Sequence, residues 1–165
     1  MNLSKIILAL CLGSTLVSIA HAAPVSKKIM LTAQINDAIF VSKPDGSTWY
    51  STEELYADDY KQTHFSRTLP VRVYSTKADF NVSLAQPLQM LNGALMLQNP
   101  SVVFGAADFT HGSKKITQTT PGADAGTFDQ TYELKIGVDG PTVATGESRN
   151  GSYSGELVML FEPAP

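Results

Sequence analysis

Cysteine is nearly absent from this chain: the 165 residues contain one, Cys11, and it lies in the first, apolar stretch. Thiol chemistry and a disulfide framework are therefore excluded for everything downstream, although small exported domains often rely on disulfides. Histidine is scarce as well, and only His64 and His111 lie beyond residue 22. The two are far apart in polar settings, without the spacing of a metal site or of a base beside a nucleophile. No phosphate-cradling glycine loop, Gly-x-Ser-x-Gly elbow or His-Glu-x-x-His helix occurs. Charge of one sign is also missing. The net charge of −3 becomes about −4 once Lys5 is removed, which gives no electrostatic case for nucleic acid or an anionic membrane. Helical periodicity is sparse beyond residue 23.

What is present begins with residues 1–22, which read as a secretory signal peptide. Lys5 gives the positive start, Ile6 through Ile19 a short apolar core, and Ala20-His21-Ala22 the small-x-small cleavage pattern. That core is too short to span a bilayer well, and no second apolar run follows. Cleavage leaves residues 23–165, the size of one domain with room for a real core.

Immediately after the signal comes an alternating strand, residues 25–36. Val25, Lys27, Ile29, Leu31, Ala33 and Ile35 share one face, and Ser26, Lys28, Met30, Thr32, Gln34 and Asn36 the other. A leading strand with no preceding partner can pair within its own domain or be lent to another molecule. Further strands are expected at 39–41, 69–74, 80–84 and 101–104. A hairpin is expected around Asn92-Gly93, and a long strand over 128–138 with Gln130 out of pattern. Residues 53–60 read as a helical turn or a loop, and 110–127 as a long polar surface loop. The last strand carries Tyr153, Gly155, Leu157, Met159 and Phe161 on one face. Its second half, apolar on both faces, predicts a central place in a sheet. Short strands, frequent turns and no βαβ alternation predict an all-β antiparallel sandwich.

The charged clusters Glu53-Glu54, Asp58-Asp59 and Lys114-Lys115 read as solvated faces. Trp49, with Tyr50, Tyr56 and Tyr60, offers an aromatic surface whose plainest use is packing a loop over the core. The competing use, a glycan platform, defines the alternative function: a monomeric periplasmic β-sandwich that binds a small ligand.

Two segments together carry a family likeness. Residues 25–37 form the alternating leading strand, and residues 151–161, Gly-Ser-Tyr-Ser-Gly-Glu-Leu-Val-Met-Leu-Phe, the closing one. The pairing resembles the major subunits of alpha-class (alternate) chaperone–usher fimbriae of the colonisation-factor and cable-pilus type. That resemblance implies an incomplete immunoglobulin-like sandwich completed by a strand from a neighbouring subunit. Its donor face would be Val25, Ile29, Leu31, Ala33 and Ile35. Its acceptor groove would be lined in part by Tyr153, Leu157, Met159 and Phe161. The chain would then divide into a signal (1–22), a donor segment (23–37) and a body (38–165). The partners implied are identical subunits, a periplasmic chaperone, an outer-membrane usher and a tip adhesin, with no cofactor and no enzymatic activity. The destination would be a fimbria on the bacterial surface, reached through the periplasm. Family members commonly place a proline after the donor strand, where this chain has Asp37-Ala38.

Overall fold

The alternating stretches predicted around 69–74 and 128–138 lie within two twelve-residue strands that pair along their whole length. The computed structural model describes residues 38–49, 51–109 and 112–165, which belong to the unit spanning Ile35–Pro165. The strands are β1 (Ile39–Ser42), β2 (Tyr56–Ala57), β3 (His64–Ser75), β4 (Asp79–Leu84), β5 (Leu91–Asn92) and β6 (Leu95–Met96). They continue with β7 (Gln98–Phe104), β8 (Ala107–Asp108), β9 (Lys114–Thr117), β10 (Phe128–Asp139) and β11 (Met159–Pro163). One sheet has the order β1-β3-β10-β7-β8, with β2 also on β3; the second is β11-β4-β9; β5 and β6 form a hairpin. Every strand pair described is antiparallel.

Taken in chain order, β1, β3, β4, β7, β10 and β11 reproduce the first six strands of the immunoglobulin sandwich. The first, second, fifth and fourth form one sheet; the third and sixth belong to the other. In that fold a seventh strand lies beside the sixth. Among the described residues, no strand pairs with β11 on that side.

Period-two alternation becomes an inside and an outside. Leu69, Val71 and Val73 of β3 are buried, as are Tyr132 and Leu134 of β10 and Phe80 and Val82 of β4. Pro70, in the middle of β3, is tolerated because β1 pairs only with Arg72 through Ser75, so no ladder bond is lost there. Four rings tie the sheets together. Phe104 stacks on Tyr132 at 4.8 Å and meets Phe161 edge-on at 5.6 Å, while Phe80 lies 6.1 Å from Tyr132 and 6.2 Å from Phe161. Two rings come from each sheet, so the cluster fixes how the sheets face each other. The expected hairpin forms, but one residue later than Asn92-Gly93: Asn92 pairs with Leu95, and the two turn residues are Gly93, at φ +60°, and Ala94.

Three expectations change. The polar stretch 110–127 is not simply a loop, because Lys114–Thr117 forms β9 along β4. Gln118 behind it is 2% exposed and donates its side-chain amide to the Val73 carbonyl at 2.8 Å. Polar side chains outside and one buried amide inside, held through its NH2 group, hide such a strand from hydropathy. Residues 53–60, expected as a helical turn or a loop, are a loop that contains the two-residue strand β2. The closing strand is shorter than its alternation suggests and is not central. It spans only Met159–Pro163, pairs among the described residues with β4 alone, and leaves Val158 and Leu160 exposed at 41% and 45%. Gln130 also finds its reason: its side-chain oxygen accepts the Thr119 backbone N–H at 3.2 Å, so a polar residue is required there.

Candidate functional site: an apolar groove beside the last strand

The open side of β11 faces β1 across an apolar groove of about 540 Å³. Its floor is the inner face of the larger sheet: Leu69 and Val71 from β3, with Leu134 and Ile136 from β10. One wall is Val41 of β1 with Trp49 and Leu55; the other is Leu157, Met159 and Phe161; Leu88 and Met90 add to the lining. Alternation builds this site directly. Residues 157, 159 and 161 point inward, while 158 and 160 point out to solvent.

Of the four groove residues expected from sequence, Leu157, Met159 and Phe161 are brought together here. Tyr153 is not among them. It lines an adjoining, more polar cleft of about 840 Å³, and its hydroxyl donates to the Arg149 carbonyl at 2.8 Å. The expected donor residues Val25, Ile29, Leu31, Ala33 and Ile35 lie outside the described residues, as do Tyr50 and His111. Sequence reasoning missed the floor. The alternation of 69–74 and 128–138 was legible, but nothing local marks which part of an inward face the opposite sheet leaves uncovered.

The sheet edges differ in how they are protected. On β9 the outer edge carries Lys114 and Lys115, and Lys115 pairs with Asp79 at 2.6 Å. At the far end of the larger sheet, β8 has two residues, and β7 contains Pro100 and Asn99 at positive φ. Charge, shortness and proline are the devices that discourage strand addition. On β11 the charge and the proline, Glu162 and Pro163, come only at its end, and the stretch Met159, Leu160 and Phe161 beside the groove carries neither.

Electrostatics are concentrated away from the groove floor. At its rim Glu53 reaches Lys43 at 3.4 Å and Arg67 at 3.5 Å. The Lys43 ammonium lies 5.9 Å from the Trp49 ring centroid and the Arg67 guanidinium 4.9 Å from that of Tyr56. Trp49 therefore lines the groove while Tyr56 serves Arg67, and Tyr60 is 89% exposed beside Lys61. At one pole of the sandwich His64 donates from Nδ1 to the Asp139 carboxylate at 2.7 Å, and its Nε2 lies 3.6 Å from Asp58. The Asp139 hydrogen bond, with Asp58 adding to it, raises the His64 pKa; Asp139 is lowered in return by His64 and Asn99. The Ser66 hydroxyl donates to Asp58 at 2.7 Å, not to the imidazole, so these residues do not form a base–nucleophile pair. Asp129 is held low by a bidentate contact from Arg72, and Asp79 by Lys115 and Thr117. Among the described residues no cluster of three metal-ligating side chains occurs.

Comparison with known proteins bears on all of this. The sequence profile of the family described as CS1 type fimbrial major subunit matches residues 25–162. Among solved structures, the CooA pilin subunit from enterotoxigenic Escherichia coli aligns with a TM-score of 0.57 at 19% identity. The alignment covers 74% of this chain and 85% of that one. Comparison with curated proteins gives no match.

Proposed function

This chain belongs to the CS1 type fimbrial major subunit family and is a structural pilin, and from that premise we propose that it polymerises by donor-strand exchange. Residues 25–36 of one subunit occupy the groove of the next and extend its smaller sheet beside β11. The observation that carries this reading is the apolar groove beside a strand edge that has no partner among the described residues. An extended segment placed there satisfies the edge with main-chain hydrogen bonds and fills alternate pockets with side chains. Ile29, Leu31 and Ile35 contribute roughly 1.5–3 kcal/mol each before ordering costs. The small Ala33 meets a shallow pocket.

Pilins of this family assemble with identical subunits into a surface fimbria. A head-to-tail contact of this kind does not close on itself, so it produces an open filament. Its endurance under shear is a matter of slow release more than of affinity. In this reading residues 1–22 direct export and are removed. A periplasmic chaperone shields the groove of the free subunit, an outer-membrane usher drives the exchange, and a tip adhesin begins the fibre. The subunit carries out no enzymatic reaction. The family match does not favour the monomeric ligand-binding alternative, and Trp49 is committed to the groove wall.

Deleting residues 25–36 tests the reading. Unboiled cell-surface material from the intact chain gives a ladder on a denaturing gel that collapses on heating. The deletion is expected to yield subunit without a ladder. A ladder that survives the deletion, or a lone monomer band from the intact chain, overturns it.

A further inference from the structure

Residues 51–55 run along the apolar groove and the polar cleft that continues from it, with Thr52, Glu53 and Leu55 lining both. Among the described residues, no backbone hydrogen bond ties them to either sheet; the first such tie comes with β2, where Tyr56 pairs with Ser66. Two things hold them down. Leu55 packs against the core, and Glu53 spans from Lys43, just after β1, to Arg67 on β3. The two cations are themselves steadied on Trp49 and Tyr56. All three charged side chains are a quarter to a third exposed, at 25%, 30% and 31%. Contacts of 3.4 and 3.5 Å at such exposure are weak and screened by salt. A segment secured this way opens easily without disturbing the sandwich beneath it.

We propose that residues 51–55 form a strap across the mouth of the groove, latched by Glu53 between Lys43 and Arg67, and that release of this latch governs how fast the donor segment inserts. The inference rests on the donor-strand reading above and adds a control point to it. It also gives the cluster Glu53-Glu54 a use: Glu53 is the latch, while the exposed Glu54 faces the polar cleft. Opening exposes the floor at Leu69 and Leu134, and closing afterwards folds Leu55 back over an inserted segment. The strap thus slows insertion and release together, leaving the equilibrium less affected than either rate.

The test follows uptake of a labelled synthetic peptide of residues 25–37 by the full chain, purified in the state in which it is secreted, as intact chain and as E53Q. E53Q is expected to take up and release the peptide roughly two- to tenfold faster, the range of two exposed ion pairs. The ratio of the two proteins' rates should shrink towards one as salt rises, because salt loosens only the intact latch. K43Q, which removes one pair and leaves Arg67 in place, should show a smaller acceleration and stands in if E53Q fails to fold. Equal rates for the intact chain and both variants at low salt overturn the strap while the donor-strand reading stands. Slower uptake by the variants overturns it too. No uptake by the intact chain overturns the donor-strand reading and the strap with it.

Discussion

Replacing Gly155 by alanine is the sharpest small perturbation this fold offers. A Cβ at that position would lie 2.0 Å from the Gln89 carbonyl oxygen and 3.1 Å from Met90 Cγ. The obstacle at Gln89 is backbone, so no side-chain rotation relieves it. Residues 88–90 must move, and they carry Leu88, 6% exposed, and Met90, which packs on the core. Overpacking of this kind costs about 1–3 kcal/mol. The shift also strains the reciprocal Leu91–Ser154 backbone bonds of 2.9 and 3.1 Å, each worth about 1 kcal/mol. A total of about 2–4 kcal/mol follows, or a fall in Tm of roughly 4–16 °C for a domain of this size. Urea denaturation of the full chain measures it, with Gly93→Ala as control. Position 93 has nothing within 4 Å and pays only for its φ of +60°, about 1–2 kcal/mol. If Gly155→Ala stays within about 0.5 kcal/mol of the parent, the close approach of residues 89 and 155 is not a feature of the protein.

Phe80→Ala should cost about 3–5 kcal/mol, because the ring is fully buried and touches both Tyr132 and Phe161. Phe40→Ala, at 63% exposure, should stay within about 0.5 kcal/mol; equal losses in urea titrations would refute the assigned faces. His64→Gln probes the pole. The His64 pKa is raised by Asp139 and Asp58, so its stabilising effect is complete below the ordinary value near 6.5 and is lost as pH rises through the folded value. Thermal melts of parent and variant should therefore differ more at about pH 5 than at about pH 8; the opposite trend would refute the pairing. Asp129, Asp139 and Asp79 act with the opposite sign. Their lowered values add stability above the ordinary carboxylate range that is lost as pH falls through the folded values. Acid titration of Asp129→Asn should show a shallower loss than the parent.

The polypeptide's own pattern determined the fold class, because a period of two is a local property. Residues 69–74 and 128–138 announce their alternation without reference to any partner, and Gly93 announces a turn by backbone sterics, although the hairpin sets its register one residue beyond Asn92-Gly93. The motif of residues 151–155 was legible only as a likeness. Its two glycines acquire a cause once Asn92 and Gln89 are seen against them. Other features had no local signature at all. Lys114–Thr117 is a strand because β4 has a free side to offer it, and its lysines, polar by composition, serve as edge protection. Residues 157–161 look central, being apolar on both faces, yet β4 is their one described neighbour. Sequence alternation says that a side chain is turned inward; only the packing of one sheet on another decides whether anything lies above it. Here Leu69, Val71, Leu134 and Ile136 point inward where the smaller sheet, among the described residues, stops at β11, and that mismatch between the two sheets makes the groove.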